Sequence, residues 1–120
     1  MRWLRGKVVD PAQGITESRD IGISHGRIAD VDLDLSEREA DKVISAKGLI
    51  VTPGLIDIHS HIAGDLIPPG TTPDAGGVGH GVTTICDGGS TGHATFKGFR
   101  NFVIPQVQTE VFCFLNIVAT

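Results

Sequence analysis

The sequence is poor in cysteine, has no long apolar run and shows no concentration of basic residues. Its two cysteines, Cys86 and Cys113, lie in short apolar runs without a Cys-x-x-Cys spacing, which favours reduced, buried thiols over a disulfide or a thiolate zinc site. Because no apolar stretch has the length of a membrane span or of a secretory signal core, we expect a cytoplasmic protein without a membrane partner. The ten lysine and arginine residues are scattered and the formal net charge is −4, which argues against nucleic acid as a partner.

Glycine and proline, by contrast, are frequent at the ends of the apolar runs. The sixteen glycines and six prolines divide the chain into many short elements instead of forming one flexible tract. With 120 residues, 40% of them hydrophobic and 20% charged, the composition is that of an ordinary globular domain and not of a disordered or fibrous chain.

The first fifty residues have the pattern of a small β module. Short, half-buried strands are predicted at residues 7–9, 19–23, 27–31 and 42–46. Turn-forming residues at 10–14 and 24–27 separate the first three strands, and His25 is most simply a residue of the second turn. A charged link at residues 36–41 precedes the fourth strand.

From residue 51 the pattern changes to alternating strands and helices. Strands are predicted at residues 55–62, 82–87 and 111–118, helices at residues 72–80 and 95–108, and a turn at residues 68–70. Thr72 is the expected cap of the first helix, Pro73 takes its first position and Gly81 ends it. Pro105 interrupts the second helix. This alternation with short loops is typical of parallel βαβ units.

The predicted strand at residues 55–62 has two different faces. One face carries Leu55, Asp57, His59 and His61, and the other carries Ile56, Ile58, Ser60 and Ile62. In an antiparallel surface sheet the polar face would meet water, whereas a barrel strand would bury the isoleucines under helices and point the histidines into the mouth. The βαβ pattern downstream favours the barrel strand.

His59 and His61 are two residues apart on this strand, so their side chains point the same way, about 6 to 7 Å apart along it. Neutral imidazole is a good ligand for Zn²⁺, and the catalytic groups of barrel enzymes gather at the carboxyl ends of the strands. Asp57 shares their face and is expected to hydrogen-bond or orient a ligand. We therefore predict a metal site with His59 and His61 as ligands.

Residues 51–61, VTPGLIDIHSH, resemble the signature of the amidohydrolase superfamily, in which Pro-Gly and two hydrophobic residues precede Asp-x-His-x-His. The similarity continues through residues 81–90 to residues 114–117 and resembles the dihydroorotase-like deacetylase group. It implies an α/β fold: residues 1–50 would be the amino-terminal part of a small β-sandwich, and residues 51–120 would hold the first three strands of a (β/α)₈ TIM barrel.

The resemblance also implies an activity. His59 and His61 would bind the more buried of one or two divalent metal ions, usually zinc, and a metal-activated hydroxide would attack the carbonyl of a small-molecule amide, cyclic amide or ester. Members of the family complete this site with a carboxylated lysine, two further histidines and a catalytic aspartate from later strands. No catalytic residue is therefore assigned within these 120 residues.

Further site candidates follow the second and third predicted barrel strands. Substrate contacts are expected from Asp87, Gly89, Ser90 and Asn116. The glycine could equally serve only the turn, and the amide could be an ordinary strand-end residue. His80 lies before a strand, at the end opposite the chemistry, and His93 lies in a Gly-rich loop, so neither is expected to bind metal.

Three strands cannot close a barrel, so residues 111–118 would form an apolar, uncharged edge strand that is prone to aggregation. We expect this chain to be a truncated product or a partial sequence that folds poorly and has no turnover alone. The alternative is a non-enzymatic metal-binding or scaffold fragment that uses His59 and His61 with ligands from a second copy, and homo-oligomer formation is left open. The alternative enzymes are a dihydroorotase or a hydantoinase.

Overall fold

The computed structural model describes residues 2–35, 40–66 and 70–118. The chain forms two compact units, Met1–Pro53 and Gly54–Thr120. The predicted charged link at residues 36–41 and the predicted turn at residues 68–70 lie partly outside the described residues. No helix in the described ranges is long and apolar enough to cross a membrane.

The first unit is built on one four-stranded sheet. Its strands are β1 (Arg2–Asp10), β2 (Ile15–Ser24), β3 (Arg27–Asp32) and β4 (Lys42–Val51). They lie in the order β3-β2-β1-β4, and the pairs are antiparallel except for the parallel β1–β4 pair. The predicted hairpin turn is confirmed: His25 and Gly26 both have positive φ, 52° and 73°, as a tight two-residue turn requires.

An ion pair between a half-exposed arginine and a buried aspartate joins two strands of this unit. Arg5 on β1 donates from Nε and Nη2 to the carboxylate of Asp20 on β2, at 2.8 and 2.6 Å. The same carboxylate accepts the backbone N–H of Leu35 at 3.0 Å. The hydrogen bonds from Arg5 hold the pKa of Asp20 below its ordinary value, against the opposing effect of burial. Asp20 therefore stabilises the first unit in its ionised form.

We expect Asp20→Asn to lower the free energy of unfolding of the first unit by about 1–2 kcal/mol near pH 7, at the modest end for a charged hydrogen bond because Arg5 is half-exposed. A carboxyl whose pKa is lowered by folding stabilises above its unfolded pKa of about 3.9 and loses that contribution as the pH falls through its folded pKa. The difference between wild type and variant should therefore shrink as the pH falls below about 3.9. Fluorescence of Trp3, which is buried in this unit and is the only tryptophan, reports the transition.

The matched control for this prediction is Glu17→Gln. Glu17 pairs with Arg19 on the exposed part of β2, where solvent screens the interaction. We expect this variant to unfold like the wild type at neutral and at acidic pH. A pH-independent loss of stability in Asp20→Asn would contradict the prediction.

The second unit is built on three parallel strands. These are β5 (Leu55–Ser60), β6 (Val82–Asp87) and β7 (Glu110–Cys113), in the order β5-β6-β7. The parallel pairing confirms the predicted βαβ pattern and rules out the antiparallel surface sheet for residues 55–60. β5 is shorter than predicted, because the chain leaves the strand after Ser60.

The helical connections are more broken than the sequence predicts. The predicted helix at 72–80 is a single turn, α1 (Pro73–Gly76), followed by a 3₁₀ turn (Val78–His80). Gly81 ends it with φ +81° and Pro73 takes the first position, as expected. Thr72 holds the capping position, but its side chain makes no capping hydrogen bond, so that detail is wrong. The interruption lies at Gly77, where an added Cβ would meet the Thr109 hydroxyl at 2.3 Å.

The second predicted helix, at 95–108, is a distorted helical segment. It begins as α2 (Phe96–Gly98), widens into a π-helical turn (Phe99–Val103) and tightens into a 3₁₀ turn (Ile104–Gln106) that contains Pro105. The segment packs on the sheet through the buried side chain of Phe99, which belongs to a core with Ile62, Ala63 and Ile85. Proline therefore ends this helix near the position that the sequence indicates.

Asp74 ties α1 to the start of β7. Its carboxylate accepts the backbone N–H groups of Gln108 and Thr109 and the hydroxyl of Thr109, all within 3.1 Å. The hydrogen bonds from Thr109 and Gln108 lower the pKa of Asp74. An acidic residue in the first turn of a one-turn helix thus sets where the third parallel strand begins.

β7 is half the length that the sequence predicts, four residues where 111–118 was expected. The physical reason is the partner strand: β6 ends at Asp87, whose carbonyl accepts the N–H of Phe114 at 2.9 Å, and no further strand continues the ladder. The next residues instead bind the loop after β6, through a single bridge between Gly92 and Asn116. Extended apolar sequence alone does not make a strand without a partner.

One face of the parallel sheet is open and apolar. It forms a concave surface lined by Ile56, Ile58, Thr84, Cys86, Phe112 and Phe114, among others. The expectation that Ile56 and Ile58 lie under helices is not met, since their side chains are 68% and 72% exposed. The helical segment covers the opposite face, where Ile85 is fully buried. β7, at the edge of this sheet, adds an unpaired strand edge to the apolar surface.

We expect this chain alone to associate through that surface, because apolar faces and open strand edges pair between chains. Phe112→Lys, at a 56% exposed position of β7, should lower the associated fraction measured by light scattering over a concentration series. Phe102→Lys is the control: Phe102 is 70% exposed but lies on the helical segment. An equal effect of the two substitutions would contradict a role of the sheet face.

A candidate metal site at the end of the first parallel strand

His59 and His61 lie side by side where β5 ends. Their ring centroids are 5.6 Å apart and the rings are nearly perpendicular, at 87°. Both side chains are exposed. Two imidazoles bound to one zinc ion, with Zn–N bonds of about 2.0–2.1 Å and tetrahedral angles, have centroids roughly 5 Å apart. The structure thus brings the two predicted ligands together at the carboxyl end of a parallel strand, with a spacing close to that of a shared ion.

The side chain of His61 contacts the loop that follows the neighbouring strand, β6. Its Nδ1 lies 2.7 Å from the hydroxyl oxygen of Ser90, a hydrogen-bond distance. Ser90 follows β6 and is 29 residues from His61 in sequence. A histidine that binds metal through Nε2 characteristically uses Nδ1 for such an outer contact. Ser90 therefore contacts the predicted metal ligand itself.

His59 lies against a glycine. A Cβ added at Gly88 would stand 2.8 Å from Nε2 of His59 and within 3.2 Å of two ring carbons. The backbone of Gly88 is fixed to β5, since its N–H donates to the carbonyl of Ser60 at 2.7 Å. The absence of a side chain at this position is what lets the ring of His59 lie there. The sequence signal is a glycine pair directly after a strand, which also suits a simple turn, and Gly89 with φ +92° serves that turn.

Asp57 acts on the backbone. Its Oδ1 accepts the N–H of His59 at 2.9 Å. The β5–β6 ladder is irregular between Asp57 and Ser60, so this side chain gives the amide of His59 a partner where the ladder is interrupted. Asp57 thereby contacts the backbone of the strand that carries the two histidines, and its role in orienting a metal ligand stays a prediction.

The carboxylate of Asp87 is fully buried, and both of its oxygens accept hydrogen bonds. Oδ2 accepts the N–H of Ile62 at 3.1 Å, and Oδ1 accepts the N–H groups of Gly89 and Ser90 at 3.1 and 2.6 Å. This position does not fit the substrate contact expected from the sequence, because the carboxylate is closed off from solvent. Asp87 shapes the rim around the histidines instead.

Asn116 also holds backbone segments together, in this case the segment after β7 and the loop after β6. Its Nδ2 donates to the carbonyl of Gly89 at 3.3 Å, its backbone N–H donates to Thr91 and its Oδ1 accepts the N–H of Val118. The amide that was expected near substrate thus binds the segment after β7 to the loop after β6. The isolated bridge between Gly92 and Asn116 joins the same two segments.

The other histidines and the cysteines do not form a metal-binding group with the pair among the described residues. His80 donates from Nδ1 to the carbonyl of Ala75 at 2.7 Å, before β6, and His93 is exposed in a turn. Cys86 and Cys113 are free and partly buried, and burial raises the pKa of the Cys113 thiol. Across residues 2–35, 40–66 and 70–118, no group of three or more histidine, cysteine or acidic side chains could hold a metal ion. The pair therefore supplies two donors.

Comparison with known proteins finds relatives both in sequence and in fold. No protein-family model matches the chain. A deacetylase of Agrobacterium fabrum is 37% identical over 92 residues, which cover 77% of this chain and 23% of the relative. An adenine deaminase of Rhizobium etli is 38% identical over 80 residues, covering 67% and 13%. A dihydroorotase crystal structure superposes on 98% of this chain and 31% of its own, with a TM-score of 0.85 and 34% identity.

The chain belongs to the amidohydrolase superfamily. Its relatives are enzymes, and it spans about a quarter or less of the length of the two curated relatives above. The match lies in the amino-terminal part of the relatives. The resemblance carried by residues 51–61 is thereby confirmed at the level of the superfamily.

The close contact at His59 generates a prediction for this amidohydrolase chain. Gly88→Ala places a methyl group against the His59 ring, so the ring must rotate away, and we expect zinc affinity measured by calorimetry to fall about 10-fold. Gly98→Ala is the control, since a Cβ there meets nothing within 4 Å. Unchanged zinc affinity in Gly88→Ala, with both variants folded, would contradict this account of the glycine.

Proposed function

We propose that this chain supplies the first two metal ligands of a metal-dependent hydrolase that cleaves carbon–nitrogen bonds in small molecules. The observation that carries the proposal is the His59–His61 pair, 5.6 Å apart at the carboxyl end of β5. The superfamily relatives named deacetylase, adenine deaminase and dihydroorotase are hydrolases that act on such bonds. The deaminase widens the set of enzymes that the sequence indicated.

The proposal includes the architecture of the whole enzyme. β5, β6 and β7 would be the first three strands of a (β/α)₈ barrel, with the apolar face of Ile56, Ile58 and Phe112 covered by other parts of the barrel. The sheet of β1 to β4 would be part of a small β-sandwich. The superposition on a dihydroorotase supports this arrangement, since it includes almost the whole chain and about a third of the enzyme.

The residues present fit a zinc-like ion as two of its ligands. A hydrolytic zinc site has three protein ligands and one open position, so His59 and His61 form part of such a set. The chemistry that a bound divalent ion supplies is activation of water near neutral pH and polarisation of a carbonyl oxygen. His59 and His61 would hold the ion through imidazole nitrogen, while Gly88 and Ser90 keep the rings in place. The general base is not assigned among the described residues.

The substrate class is part of the proposal. An acylated amine, a cyclic amide and an amino-substituted ring all present a carbon–nitrogen bond to an activated water, and the ester that the sequence left open would react in the same way. The choice among them depends on pocket residues beyond those described. A cytoplasmic location also stays a prediction.

Zinc titration tests the proposal directly. We expect calorimetry to show that His59→Asn and His61→Asn each weaken zinc binding by at least roughly 10-fold, because each removes a nitrogen donor. His93→Asn, at an exposed histidine outside the pair, is the matched control and should bind like the wild type. In the complete enzyme, the same two substitutions should abolish hydrolysis of acetylated amino acids, adenine or dihydroorotate, whichever is the substrate.

Two outcomes would overturn the proposal. One is zinc binding that is insensitive to both substitutions, which would place the metal elsewhere. The other is tight binding with one zinc per two chains, accompanied by dimer formation and no hydrolysis by the complete protein. That result would identify the non-enzymatic metal-binding scaffold instead.

A further inference from the structure

One buried carboxylate fixes two backbone segments at the candidate site. Through Oδ2, Asp87 holds the N–H of Ile62, the residue after His61. Through Oδ1, it holds the N–H of Ser90 at 2.6 Å, together with that of Gly89. The segments that carry His61 and Ser90 are thus tied to the same group, which is 0% exposed. Their separation is set by the fold and not by the side chains themselves.

Between these segments, the side chains of His61 and Ser90 form a polarised contact. The distance from Nδ1 to the hydroxyl oxygen is 2.7 Å. A neutral imidazole carries its proton on one nitrogen only, so the contact has two versions. Either Nδ1–H donates to Ser90 and Nε2 carries a lone pair, or Ser90 donates to Nδ1 and Nε2 is protonated. Only the first version leaves Nε2 open to a metal ion.

We propose that Ser90 is a positioning residue, which accepts a hydrogen bond from Nδ1–H of His61 and so keeps the Nε2 lone pair available to a divalent cation. The cation rests on the function proposed above, whereas the tautomer of His61 is a property of this chain by itself. The role differs from the substrate contact that the sequence suggested for Ser90. It requires an anchored serine, and the Asp87 carboxylate supplies the anchor.

A second serine–histidine contact lies in the exposed hairpin of the first unit. Ser24 lies 2.9 Å from Nδ1 of His25, but the two are adjacent in sequence on an exposed hairpin turn. His80 differs, because the acceptor of its Nδ1 is the carbonyl of Ala75 and a carbonyl accepts only from Nδ1–H. His80 therefore provides an internal reference for the Nδ1–H pattern.

Long-range proton–nitrogen NMR of the imidazole rings distinguishes the tautomers. The spectra are recorded without metal near pH 8.5, about two units above the ordinary histidine pKa of about 6.5. We expect His61 to show the Nδ1–H pattern of His80 in the wild type. In Ser90→Ala it should shift to the mixed pattern of the exposed His93, and Ser90→Thr, which keeps the hydroxyl, should restore it. The Ser90 anchor is a backbone bond, so Ser90→Ala keeps the loop attached to Asp87.

Zinc affinity gives the second measurement. We expect Ser90→Ala to weaken zinc binding about 10-fold, the usual effect of losing an outer partner of a ligating histidine, and Ser90→Thr to bind within about twofold of the wild type. The positioning role is overturned if His61 is Nε2–H in the wild type, or if Ser90→Ala leaves its tautomer unchanged. If the proposed function is wrong, the results differ from these. Zinc would then not bind at His59 and His61, while the tautomer of His61 would still change when Ser90 is substituted.

Discussion

The rim of the second unit depends on one buried carboxylate that accepts three backbone N–H groups. Asp87 lies at the last position of β6, and its two oxygens face in two directions, one toward the segment after β5 and one toward the loop that follows β6. Burial of a carboxyl group is costly unless its oxygens are hydrogen-bonded, and here they are. Each bond removes an unpaired amide from a loop that has no strand to pair with. The same carboxylate therefore satisfies the loop backbone and fixes where the side chains of His61 and Ser90 stand.

Around that anchor, the candidate site is made mostly of backbone. Glycine at position 88 leaves room for the ring of His59, and Asp57 contacts the amide of His59 and not its imidazole. The polar residues nearest the two histidines thus position the rings, and none of them extends the set of donors. This arrangement is typical of metal sites, in which the outer contacts decide the orientation and tautomer of each ligand. It also explains why a site with only two donors already has a defined geometry.

Sequence patterns predict the parts of this structure that depend on local chemistry. The His25–Gly26 turn, strand β6, the parallel pairing and the His59–His61 pair follow from turn residues, β-branched runs and strand periodicity. The predictions that are wrong concern parts of the structure that depend on residues distant in sequence. Residues 114–118 are apolar enough for a strand, but β6 ends before them; the predicted helix at 72–80 breaks where Gly77 meets Thr109. The roles of Asp87 and Ser90 likewise require knowing which amides and rings lie beside them in space.

The two sheets also differ in how far apart in sequence their paired strands lie. β1, β2 and β3 are joined by short turns, and such hairpins form within about 1–10 µs. Every pair in the sheet of β5, β6 and β7 is parallel and must wait for a long connection to close before its first hydrogen bond forms. The antiparallel part of the first unit is therefore expected to be in place while the strand that carries His59 is still unpaired. During that interval the apolar side chains of β5 and β7 are available to any neighbouring chain, so the yield of folded protein depends on concentration as well as on stability.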